Sequence, residues 1–377
     1  MSKIKALITN YDLITAYGIG IAPLWEGLLS GQSRINKLQR FNVQPFNCQR
    51  AATIPGLSLK RADSLVMQML KIILTKNLKL IPRDALLILA TTVGEIDLLE
   101  KAVLKKNTAG QASSLHHLLR KVQALTKINQ PGVLISCACA SSSTALAEAA
   151  RIIESGKNDC CLVIAADAVT EFVFSGFSAL MALDKDQARP FDKNRHGLSL
   201  GEAAGFMLLM SASRAKKEKR KALAQVAGWG LSCDANHMTG PARNAEGLTQ
   251  AMTGALKKAN TSLNQIGCLA SHGTGTVYND AMELLAFNQV FKNRFLPAYS
   301  IKGGTGHTLG AAGLIETIVA LKIQQEKIIP PTVGLKNSDP QAVGRVSSST
   351  KKLKQSTLML NNCGFGGVNA VLILKTI

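Results

Sequence analysis

Short, almost wholly apolar runs recur along the chain, separated by stretches with helical spacing, and this alternation limits the fold more than any other feature. Residues 132–136, 160–166, 205–210 and 268–271 carry no polar residue at every second place, as a strand with one wet face would. Residues 132–136 and 160–166 therefore predict buried strands, and 205–210 and 268–271 further strands. Residues 4–9, 223–232 and 298–301 are also strand-like. Between them, residues 140–155 place Leu146, Ala150 and Ile153 near helical spacing, with Gly156 at the stop. Residues 245–259, 280–291 and 309–325 read as further helices. The chain ends differently: residues 358–361 and 370–375 flank a glycine-rich turn and predict an antiparallel hairpin. Strands and helices in alternation predict an α/β fold with buried sheets. No low-complexity linker interrupts it, so two halves, 1–215 and 216–377, are expected around a single shared core. The basic segment 214–221 marks the boundary and is expected to be a solvated face.

With 46% hydrophobic and only 18% charged residues, the 377-residue chain can bury a large core. No run approaches the roughly 20 apolar residues of a membrane span. No signal peptide is read at the start, and a soluble cytoplasmic protein is expected. The formal charge of +20 calls for an acidic partner, whether nucleic acid, an anionic surface or an acidic protein. Aromatics at 5% and the lack of an RNP-like or helix-turn-helix pattern argue against nucleic acid. The eight cysteines lack the paired spacing of a metal knuckle, so no metal is expected and most should be buried, reduced thiols.

Four glycine- or serine-rich segments carry the chemistry. Cys137-Ala-Cys139-Ala-Ser-Ser-Ser puts a thiol where a strand turns into a helix, whose free N–H groups favour a thiolate. A cysteine there is either a nucleophile or a core residue at a strand end. Ser271-His272-Gly-Thr-Gly-Thr276 sets an imidazole just after a strand. Lys302-Gly-Gly-Thr-Gly-His307 puts a lysine and a second histidine on one loop that enters a helix. Its glycines fit neither a dinucleotide fingerprint nor a Walker loop. Asn361-Asn-Cys363-Gly-Phe365-Gly-Gly367 would let backbone N–H groups approach a reacting carbonyl. A lone histidine at a strand end is more often structural than catalytic; four such loops in one chain are hard to dismiss.

Together these segments resemble the elongating β-ketoacyl-acyl carrier protein synthases of the thiolase superfamily. The resemblance runs over nearly the whole chain, from Trp25-Glu-Gly-Leu-Leu-Ser-Gly-Gln-Ser33 through Arg189-Pro-Phe-Asp192 and Asp234-Ala-Asn-His-Met238 to Gly364-Phe-Gly-Gly367. It implies the five-layered αβαβα thiolase fold with two pseudo-symmetric halves, the first carrying the nucleophile and the second both catalytic histidines. It selects Cys139 rather than Cys137 as nucleophile, with His272, His307 and Lys302 completing the catalytic set. The N–H groups of Cys139 and Phe365 are the implied oxyanion hole. Glu316 and Asp280 fall on supporting positions, and Lys302, through Glu316, is expected to order the hydrogen bonds around His307. Thr274 and Thr276 match residues that hold the phosphopantetheine arm. Lys60 and Arg61 match a basic pair that docks acyl carrier protein, an acidic partner that accounts for the positive charge. Cys363 stands where the acyl-pocket gate is usually Phe, and Met181 where a docking arginine is common. Both departures argue against the housekeeping enzyme and for a specialised polyene or polyketide paralogue, so the pathway is left as fatty acid synthesis or such a specialised one. His116, His117, His196 and His237 have no catalytic match and are expected to be structural or at the surface.

The implied reaction is decarboxylative condensation with malonyl-acyl carrier protein. It needs no metal or separate cofactor, the substrates being carried on phosphopantetheine. A homodimer is implied, or a heterodimer with a chain-length-factor-like subunit. The alternatives on the same fold are a thiolase or acyltransferase, or a carrier-protein-binding partner subunit; the second histidine opposes the thiolase and the retained cysteine opposes the subunit.

Overall fold

The computed structural model of the chain describes residues 4–104, 114–292 and 294–377. Ten strands lie along one hydrogen-bonded path. In the first half they are β1 (Ala6–Thr15), β2 (Leu86–Ala90), β3 (Val133–Ile135), β4 (Cys160–Asp167) and β5 (Ala203–Ser211). In the second they are β6 (Ala224–Cys233), β7 (Ile266–Ala270), β8 (Ala298–Tyr299), β9 (Thr357–Gly364) and β10 (Val368–Lys375). Across the sheet the order is β8-β7-β9-β10-β6-β1-β5-β4-β2-β3. Each half thus repeats one arrangement, in which its third, second, fourth and first strands run in one direction while the fifth, lying between the fourth and the first, runs antiparallel to them. Within the large sheet the two half-sheets join at β1 and β6, through Leu7↔Gln225 and Ile8↔Ala224.

Period-two alternation builds the layers. In β4, Cys161, Val163 and Ala165 face a central cluster, whereas Cys160, Leu162, Ile164 and Ala166 face an outer one. In β10, Leu372 and Leu374 face the same central cluster, and Val371 and Ile373 face the opposite outer layer. Helices Ser141–Glu154 and Ala312–Glu326 fill the middle between the two half-sheets. Helices Leu65–Thr75 and Leu115–Thr126 cover the first half outside, and Glu246–Lys258 and Val277–Phe291 the second. The result is the αβαβα order that the resemblance implies. Helix Ala312–Glu326 is buried nearly all round, Glu316, Thr317 and Gln324 included. The two central helices approach closely, since a Cβ on Gly313 would lie 2.0 Å from Ser143 Oγ.

Two expectations need correction. Residues 132–136 were expected to form a buried strand, but β3 is the sheet's edge, and its Val133 is 37% exposed. Segment 214–221 is not simply a solvated face. Arg214 pairs with Asp84, Asp159 and Glu218, tying the short helix Ala212–Lys217 to two neighbouring loops. No helix of the described residues is long and apolar enough to cross a membrane.

Candidate active site

The chain makes a tight turn between β3 and helix Ser141–Glu154. Ala138 takes a left-handed backbone at φ 46°, an uncommon state for a residue with a Cβ. Ser141 Oγ holds the turn, accepting the Cys137 N–H at 2.8 Å and donating to Ala138 O at 2.6 Å. Cys139 follows, only 6% exposed. The β9–β10 hairpin presses on it from the other half. A Cβ on Gly364 would lie 3.1 Å from the Cys139 nitrogen. This contact brings the Phe365 N–H to the thiol, where it and Cys139's own N–H both favour the anion. Burial nevertheless wins. The thiol is pushed up to about 12, mainly by desolvation and further by Asp167, against the Lys302 charge and the two N–H groups. The thiolate expected from a helix N-terminus is thus reversed in the resting protein, because a buried anion loses more hydration than these dipoles return.

His272 and His307 meet edge to face, with ring centroids 5.1 Å apart. Both are buried, and burial followed by the Lys302 charge holds both well below the ordinary imidazole value of 6.5. Each therefore rests neutral, with one N–H. The position of that N–H follows from the neighbours. His307 Nδ1 accepts the Leu309 N–H at 3.3 Å, and Leu309 takes a left-handed φ of 54° in doing so. His272 Nδ1 lies 3.4 Å from the Lys302 ammonium, which also donates to His272 O at 2.5 Å. Both Nδ1 atoms being acceptors, both protons belong on Nε2.

Lys302 is buried and ion-paired to Glu316. Glu316 in turn accepts from Asn362 Nδ2 at 2.7 Å, and Asn362 is hydrogen-bonded to Ser143. One polar chain thereby links the loop, both central helices and β9. The expected link from Lys302 to His307 is corrected here: the hydrogen bonds of Lys302 go to His272 and Glu316, and that of the His307 ring to Leu309. Asp280 accepts N–H groups from Phe191, Thr274 and Gly275, clamping the turn that carries Thr274 and Thr276, whose hydroxyls lie 3.0 Å apart.

Cys139, His272, His307, Phe365, Cys363, Thr274 and Thr276 line one cavity of about 1050 Å³. Cys363 is buried in its wall, and Phe365 stacks on Phe177 at 5.4 Å. Met181, 85% exposed, and the exposed rings of His196 and His237 stand around the opening. Lys60 and Arg61 are exposed before helix Leu65–Thr75 and do not line the cavity. Sequence reasoning missed Asp167, Glu283, Asn362 and Ser143. Asp167 takes N–H groups from Thr92 at 3.0 Å and Gly310 at 2.8 Å, fixing the loop beyond His307; burial raises its carboxyl to about 6. Glu283 holds the N–H groups of His272 and Gly273 at 2.7 and 2.6 Å. Asn362 was visible as a polar interruption in an apolar strand, and Glu283 as an acid one turn beyond Asp280. The serine had no such mark.

Residues 122–215 match the family description "Beta-ketoacyl synthase, N-terminal domain", and residues 223–336 match "Beta-ketoacyl synthase, C-terminal domain", together more than half of the chain. The chain is 29% identical to the 3-oxoacyl-[acyl-carrier-protein] synthase 2 of Coxiella burnetii, with all of both chains covered. Among solved structures it is similar to the ishigamide ketosynthase/chain length factor, at a TM-score of 0.87 and 27% identity over both full chains. It is also similar to a ketosynthase in complex with its chain length factor from Xenorhabdus doucetiae, at 0.81 and 25%, covering 99% of this chain and 98% of the other.

Proposed function

The chain belongs to the β-ketoacyl synthase family, and on that premise we propose that it condenses a Cys139-bound acyl chain with malonyl-acyl carrier protein. The product is a β-ketoacyl-acyl carrier protein, made for fatty acid or for specialised polyene or polyketide synthesis. In the first step Cys139 attacks the acyl thioester, and its proton leaves on the released pantetheine thiol. In the second, the malonyl thioester loses carbon dioxide, and its carbonyl oxygen takes the growing enolate charge. That enolate attacks the acyl-cysteine; the oxyanion is held by the N–H groups of Cys139 and Phe365, and collapse returns the thiol after one proton is taken up. No separate cofactor enters this sequence.

The observation that carries the reading is the pair of neutral imidazoles beside Cys139, each with Nδ1 engaged and Nε2–H free to donate. Two neutral donors stabilise an enolate without drawing a proton from the thiol beforehand. Lys302 and Glu316 act as positioning residues behind His272, and Asp280 behind the threonine turn. Thr274 and Thr276 are assigned to the pantetheine arm, Cys363 to the acyl-pocket gate, and Lys60 and Arg61 to carrier-protein docking. We assign the nucleophile to the half 1–215 and the two histidines to the half 216–377. The acidic carrier protein suits the charge of +20, and we place the reaction in the cytoplasm. The two similar solved structures are ketosynthases described with a chain length factor; this favours pairing with such a subunit beside a homodimer.

Intact-protein mass spectrometry after mixing with acyl carrier proteins of several chain types tests the assignment. The wild type is expected to gain one acyl mass and Cys139→Ala none. A Cys139→Ala protein that still forms β-ketoacyl product would refute the role of the thiol.

A further inference from the structure

The lining of the cavity carries two acids, Asp234 and Glu246, and one cation. Among its lining residues Arg243 is the sole lysine or arginine, in a chain that has 44. It is exposed, and its guanidinium lies 5.1 Å from the centroid of the exposed Tyr278 ring. Tyr278 stands two residues beyond Thr276, so the cation sits outward of the paired threonine hydroxyls. Stacking on a ring fixes the guanidinium plane while leaving its N–H edge available. No ion pair occupies that edge among the described residues. The acids that share the lining are turned elsewhere. Asp234 accepts from Ala242 N at 2.9 Å and Asn369 Nδ2 at 2.7 Å, and Glu246 faces Asn244 Nδ2 at 3.3 Å. The loop itself is braced, by the Asp234 bond on one side and by Gln289 Nε2 to Asn244 O at 3.0 Å on the other.

A phosphopantetheine arm has matching chemistry. From its thiol outward it is amide and alcohol, uncharged, until a phosphodiester at the far end. A planar guanidinium suits a phosphate oxygen pair better than an ammonium does. We propose that Arg243, held on Tyr278, binds the phosphate of the substrate arm, so that the site reads the arm's charged end independently of the carrier protein. This rests on the condensing function proposed above and extends it to the recognition of phosphopantetheinyl over phosphate-free thioesters.

The test compares one acyl group on pantetheine and on phosphopantetheine, neither attached to protein, as donors to Cys139, read by intact mass. The wild type is expected to favour the phosphorylated donor at least tenfold in kcat/KM. Arg243→Ala should bring that ratio close to one, Arg243→Glu should invert it, and Arg243→Lys should restore part of it. An unchanged ratio in Arg243→Ala would overturn the proposal. Calorimetric binding of the two free arms makes the same comparison without chemistry. A protein that binds phosphopantetheine through Arg243 yet acylates nothing would therefore count against the condensing function alone, and equal binding of both arms against the phosphate site alone.

Discussion

Both imidazoles are kept neutral by burial and by a cation behind them, and this sets how the protein responds to acid. In the unfolded chain each histidine binds a proton below about pH 6.5, whereas in the folded protein neither does until far lower pH. The unfolded state then holds more protons, so each histidine destabilises the fold as pH falls below 6.5, by up to about 1.4 kcal/mol per pH unit. Glu283, raised to about 8, opposes this, since its folded carboxyl keeps a proton that the unfolded chain loses above pH 4.5. A comparison of proteins isolates the histidines: the stability gap between His272→Asn/His307→Asn and wild type should shift in the variant's favour from pH 7 to pH 5. Parallel urea-unfolding profiles over that range would sink the account. Residue identities at the site were legible because thiol, imidazole and glycine have chemical roles that survive in a one-dimensional string. Their electrostatics were not. The string shows a helix start beside Cys139, but not the layers that bury it, and burial decides the charge on the thiol. Nor does it show which histidine Lys302 reaches, since Lys302 and His307 are five residues apart while His272 is thirty away.

Among the elements, the central helices and their glycines bear the tightest constraint. A methyl group on Gly313 would press on Ser143 Oγ at 2.0 Å and Ser143 N at 2.9 Å, parting the two helices. Gly313→Ala should cost roughly 1–3 kcal/mol or more in chemical unfolding. Gly254, on the outer helix Glu246–Lys258, is the control. Its added Cβ would meet only Gly230 Cα, at 3.7 Å, so Gly254→Ala should stabilise by about 0.5–1 kcal/mol through helix propensity. Equal effects from the two changes would contradict the close helix contact. Strands were legible where both faces are buried, because nothing polar interrupts them, and β4, β5 and β10 lie within two residues of expectation. The misread strand, β3, fails for a reason of place. An edge and a centre look alike in sequence, since position in a sheet is set by residues far away. The turn at Leu309 was read as helix because its backbone is diverted to serve His307, a local cost no propensity records.

For the molecule as a whole, charge is the quantity the sequence states most openly and the fold least explains. If an excess of 20 positive charges steers an acidic carrier protein, raising salt should weaken that encounter, as the screening length falls from about 10 Å at 0.1 M to about 3 Å at 1 M. The KM for acyl-carrier protein should then rise with salt several times more steeply than the KM for the same acyl group on pantetheine. Equal salt dependence would remove carrier docking as the reason for the charge. The α/β class could be read in advance, but the repeated strand order could not, since the halves share topology without visible residue identity. The joining of those halves also bears on how the protein is made. Strand β1 leaves the ribosome before the other nine, yet Ala6 pairs with Ser211 and Leu7 with Gln225. At roughly 5–20 residues per second, its partners arrive about ten to forty seconds later. The first of the ten strands to be made waits for the fifth, apart from its end, where Ile14 and Thr15 meet Ile19 and Gly18, and for that interval the nascent chain carries a strand edge that only a chaperone, or a stranger, can cover.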